Sequence, residues 1–90
     1  MLQYALILAL DNTSDYWVVD LGASFHDTHH RKFFHDYVQG VFGHVLLGDD
    51  EPCKIVGKGK VNIKLNNGSE WLLKDVRNIP SMKINLISTG

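Results

Sequence analysis

Asp20 and Gly22 form an Asp-x-Gly tripeptide, and the short apolar run Tyr16-Trp17-Val18-Val19 leads straight into it. With eight Asp and eight Gly in 90 residues, about 0.7 such tripeptides arise by chance, so the tripeptide alone carries nothing. Its setting is informative. A carboxylate just past a buried strand, followed by the turn Leu21-Gly22-Ala23-Ser24, projects from a rigid platform into a cleft. The matching chemistry is that of an aspartic protease. Two carboxylates roughly 3 Å apart cannot both ionise, so one activates water while the other protonates the leaving group. Titration then belongs to the pair. This chain offers one such motif, so a working site needs two chains about a two-fold axis.

Other groups invite chemistry less strongly. His26, His29, His30 and His35 cluster within ten residues, and histidine is a common zinc ligand. Metal sites place ligands on fixed elements, whereas this stretch reads as a solvated loop, so no metal and no cofactor is expected. Ser24 lacks the G-x-S-x-G elbow of a serine hydrolase. Cys53, the single cysteine, cannot form an internal disulfide and reads as an ordinary residue beside a turn. Lys54, Lys58, Lys60 and Lys64 read as a solvated face that protects a sheet edge.

The elements around these residues are β. Trp17 to Val19 suit a buried strand, and His26 to His35 read as a loop from which Phe33, Phe34 and Tyr37 pack back on the core. Val41 to Leu47 predicts the next strand, closed by the turn Gly48-Asp49-Asp50-Glu51-Pro52. Val61, Ile63 and Leu65 alternate with Lys60, Asn62 and Lys64, as a half-buried strand requires. Asn67-Gly68 marks a hairpin, because both residues tolerate positive φ. The return strand runs Glu70 to Val76, Trp71 is expected in the core with Trp17, and Ile84 to Ile87 form a last strand. Six or seven short strands predict an all-β fold, a barrel or a sandwich, and the fold class expected is a small closed or partly open barrel.

Ninety residues make one small domain, marginal as a lone monomer, and pairing is a common remedy. The formal net charge of −1 gives no reason to expect direct nucleic-acid binding. The apolar start, Met1 to Leu10, is too short to span a bilayer at the ~20 residues required, and no membrane association is expected. Residues 1–15 read as a lead-in segment, in which a truncated upstream region is one option, and 16–90 as the barrel domain. Cysteine usage points to a reducing cytosol or nucleus, and the cytoplasm is the location expected.

From Tyr16 onward the chain resembles the protease region of copia-type long-terminal-repeat retrotransposon Pol polyproteins. The matching stretches are Trp17-Val18-Val19-Asp20-Leu21-Gly22-Ala23-Ser24-Phe25-His26, Gly43-His44-Val45-Leu46-Leu47-Gly48-Asp49, and Ile55-Val56-Gly57-Lys58-Gly59-Lys60-Val61. Leu73-Lys74-Asp75-Val76-Arg77-Asn78-Ile79-Pro80 and Asn85-Leu86-Ile87-Ser88-Thr89-Gly90 follow in the same order. The resemblance implies a retropepsin-like barrel that matures its polyprotein by peptide hydrolysis, as a homodimer acting on polyprotein peptides. It implies Asp20 as the catalytic residue and Leu21, Gly22, Ala23 and Ser24 as the active-site loop. By looser analogy, Gly48, Asp49, Ile55, Gly57 and Gly59 belong to a flap over the substrate.

One position departs from the family pattern, which carries Ser or Thr where this chain has Leu21. That hydroxyl holds the paired aspartates coplanar through cross-subunit hydrogen bonds, and leucine has no donor or acceptor. The departure predicts a weakened protease. The alternative is a catalytically inactive barrel remnant that serves as a dimerisation or protein-interaction module.

Overall fold

The computed structural model describes residues 5–9, 16–20, 23–47, 51–65 and 67–88. Among the described residues nine strands run in chain order: β1 Ala5–Ala9, β2 Tyr16–Asp20, β3 Asp27–Thr28, β4 Phe34–Gln39, β5 His44–Leu47, β6 Glu51–Lys54, β7 Gly57–Lys64, β8 Glu70–Asn78 and β9 Asn85–Ser88. Among the described residues the helical content is a single 3₁₀ turn, Arg31–Phe33. The chain is all-β. Seven strands form one sheet in the order β1-β2-β9-β3-β8-β7-β4, and β5 with β6 makes a separate two-stranded hairpin. Among the described residues no pairing joins β1 to β4, so the sheet is open.

The longest hairpin follows its sequence closely. On β7, Val61 and Ile63 are 1% exposed while Asn62 and Lys64 face solvent, the two-residue period of a half-buried strand. Gly68 turns the chain at φ +88°, and the Asn67 side chain accepts a hydrogen bond from the Ser69 amide. Both neighbours of β7 bulge at the same level. The β4–β7 register shifts between His35 and Val38, and the β7–β8 register shifts between Gly59 and Val61. Asp36 and Asp75 absorb these bulges at positive φ, a conformation aspartate tolerates better than most residues. Bulges bend a sheet, and two side by side curl this one over its core.

That core has two parts. Trp17, Phe34, Val61, Ile63, Leu73, Val76 and Ile87 form the larger, with Val19, Phe33, Tyr37 and Leu65 against it. Cys53, Ile55, Ile79 and Met82 form the smaller, beneath the β5–β6 hairpin, with Phe42, Val45 and Leu86. Strand β9 serves both, sending Ile87 to one cluster and Leu86 to the other.

Several expectations need correction. His26 to His35 is not a loop throughout, since β3, the 3₁₀ turn and the start of β4 fall there. Strand β4 escaped notice because it lies at a sheet edge with four of its six residues exposed, so no apolar period marks it. Trp71 is 40% exposed near the hairpin end, whereas Trp17 is fully buried. Lys58 and Lys60 protect no edge, because β4 pairs with β7 from Gly57 to Val61. The strand expected from Val41 begins only at His44, after Gly43 at φ +89°.

Gly57 is the tightest point of the sheet. A Cβ there would overlap the Tyr37 ring, whose hydroxyl oxygen accepts a 2.8 Å hydrogen bond from the Asn78 amide. The Arg31 guanidinium lies 3.6 Å from the centre of the same ring, so it has little freedom to retreat. Gly57→Ala is expected to lower the unfolding free energy by about 1–3 kcal/mol in urea titration.

Candidate functional site

Strand β2 carries Asp20 as its last residue, held between two partners. Ala5 of β1 lies opposite it in antiparallel register, and Ser88 of β9 beside it in parallel register. Trp17 and Val19 point into the larger core, so the two-residue period puts Asp20 on the other face. Leu86 and Ser88 share that face, and Leu86 packs in the smaller cluster beneath the hairpin. Asp20 is 9% exposed.

The chain leaving Asp20 is tied down at several points. The Ala23 amide donates to the Asp20 carbonyl at 3.2 Å, and the Ser88 hydroxyl donates to the Ala23 carbonyl at 2.7 Å. The Ser88 amide donates to Nδ1 of His26 at 3.0 Å, and the His26 carbonyl accepts from the Arg77 amide at 3.0 Å. One residue on, Asp27 and Arg77 form a two-pronged ion pair at 2.6 and 2.9 Å. Both partners are largely buried, at 7% and 13% side-chain exposure. The guanidinium also lies 4.0 Å from the centre of the half-exposed Phe25 ring. Deeper still, Thr28 donates to the Asn85 side chain and accepts from the His30 amide.

Burial holds the His26 imidazole below its ordinary pKa, against the opposing pull of Asp27 and Asp75. The bond from Ser88 needs Nδ1 unprotonated, which favours the same neutral form. A folded pKa below the unfolded 6.5 means the unfolded chain binds more protons in that window. The His26 contribution is therefore complete above pH 6.5 and lost as pH falls through the folded value. Urea titrations at pH 5 and pH 7.5 are expected to show a stability difference that shrinks in His26→Phe.

Among the other expected residues, Ala23 is half-buried and Ser24 exposed, while Leu21, Gly22, Gly48 and Asp49 lie outside the described residues. Ile55 is buried in the smaller cluster, between the hairpin and β7. Gly57 and Gly59 belong to β7 in the main sheet, not to the hairpin. A groove of about 420 Å³ runs beside that hairpin, lined by Val41, His44, Pro52, Lys54, Ile55 and Val56 among others, and Asp20 is not in its wall. Among the described residues no three His, Cys, Asp or Glu side chains converge as metal ligands. Ser88, Asp27 and Arg77 went unnoticed as site residues. Asp27 and Arg77 stand 50 residues apart, and no local pattern joins them.

Residues 17–90 match the family model described as the Pol polyprotein beta-barrel domain, and the chain belongs to that family. Over 72 residues, 80% of this chain, it is 49% identical to the Retrovirus-related Pol polyprotein from transposon TNT 1-94 of Nicotiana tabacum. The match spans 5% of that protein's length. No solved structure matches.

Proposed function

We propose that this domain is the protease unit of a copia-type retrotransposon polyprotein, an aspartic endopeptidase of retropepsin-like topology. It works as a homodimer on polyprotein peptides in the cytoplasm, inside element-encoded particles, with Asp20 of each chain as the acid–base pair. One observation carries the reading: Asp20 ends a strand braced on both sides, on the face that the β5–β6 hairpin shares. A rigid strand end suits two carboxylates that must meet within roughly 3 Å, since a small misplacement costs rate steeply. The hairpin is the natural candidate for a substrate cover.

Leu21 favours a second reading, the inactive barrel that survives as a dimerisation or protein-interaction module. Without the hydroxyl, buried groups beneath the aspartates lose a partner at about 1–3 kcal/mol each. Displacing the carboxylates by an ångström costs on the order of a hundredfold in rate. Leu21→Ser is therefore expected to raise cleavage of polyprotein-derived peptides by about that factor, measured as kcat/KM. Equal rates in the two proteins would remove the impairment. Cleavage by neither would favour the inactive module.

A further inference from the structure

In the main sheet β9 lies between β2 and β3, so the chain from Asp20 to Asp27 must cross the end of β9. Ser88 is the residue at that crossing. We infer that Ser88 is the positioning residue of the Asp20 loop, with His26 as its partner. Its hydroxyl holds the loop near the start, at the Ala23 carbonyl, and its amide holds the end, at His26 Nδ1. Just before the first of those points the Ala23 amide closes back on the Asp20 carbonyl. One residue thus bonds both limbs of the loop while its own backbone lies in register with Asp20. Motion of Ala23 or His26 away from β9 must break a bond to Ser88.

The arrangement also explains the chemistry of both side chains. Ser88 donates twice, through N–H and O–H, and a hydroxyl is the smallest side chain able to do the second. His26 presents a neutral acceptor nitrogen, and the Asp27–Arg77 pair and the Arg77 amide hold its backbone from the far side. Ser88 acts through the loop, by its bonds to Ala23 and His26. The catalytic consequence rests on the proteolytic reading, whereas the tie itself does not.

The test uses the full chain, in both the natural and the Leu21→Ser forms, with Ser88→Ala, Ser88→Thr and His26→Phe. Hydrogen exchange at the Ala23 amide is expected to quicken about three- to tenfold in Ser88→Ala, as loss of one hydrogen bond implies. The amides of Val61 and Val76 should keep their rates, and Ser88→Thr should restore Ala23. His26→Phe should quicken exchange at the Ser88 amide. In whichever form cleaves peptide, Ser88→Ala is expected to lower kcat by about ten- to a hundredfold with KM nearly unchanged, and threonine to rescue it. Unchanged exchange at Ala23 would overturn the tie. Faster exchange with an unchanged kcat would overturn the positioning role. If neither form cleaves peptide, the proteolytic reading fails, and exchange still decides the tie.

Discussion

Asp20→Asn, introduced into the Leu21→Ser protein, is expected to abolish peptide cleavage, by on the order of 10⁴-fold or more. Asparagine nearly matches the aspartate in shape, so the strand end and its pairing with Ser88 should survive. What it lacks is a proton to give or a charge with which to take one. In the proposed homodimer each chain contributes one carboxylate, so a single substitution removes both members of the pair at once. The measurement is kcat/KM on a polyprotein-derived peptide, with the thermal midpoint of the same sample as the control for folding. An asparagine protein that still cleaves would end the assignment of Asp20 as the acid–base residue.

The largest expected effect on stability belongs to Arg77→Ala, about 3–5 kcal/mol in urea titration. The substitution leaves Asp27 as an uncompensated charge at 7% side-chain exposure, where water cannot replace the two lost bonds. Phe25 loses the cation over its ring at the same time. For a small domain, whose total stability is about 5–15 kcal/mol, such a loss is a large fraction. Arg77→Lys should recover little, because a point charge cannot make the paired planar bonds. The double variant Arg77→Ala with Asp27→Asn is expected to be more stable than Arg77→Ala alone, since the stranded charge is gone. If Arg77→Ala costs under about 1 kcal/mol, the pair behaves as an ordinary surface contact and the buried description is wrong.

Local pattern made much of the barrel legible. The alternation Val61, Ile63, Leu65 and the Asn67-Gly68 turn gave the second half of β7, most of β8 and their connection, because strand period and turn chemistry are properties of neighbours. Asp20 at the end of an apolar run was equally readable. Strand β4 was not, since an edge strand is held by backbone bonds to β7 and its exposed side chains carry no signal. Trp71 shows the converse failure. An apolar residue at a strand position looks buried in sequence, yet its place near the hairpin end leaves it half in water.

By itself the sequence determined that the fold class is β, where its longest hairpin turns, and which carboxylate stands past a buried strand. Each of these rests on spacing within a few residues, which the chain carries whatever its neighbours do. Only the tertiary structure decided that β9 runs parallel to β2, that Ser88 therefore meets Asp20, and that Asp27 finds Arg77. Those contacts join residues 50 or more positions apart. They form because burying the two clusters brings distant strands side by side, and no short-range pattern encodes which ones.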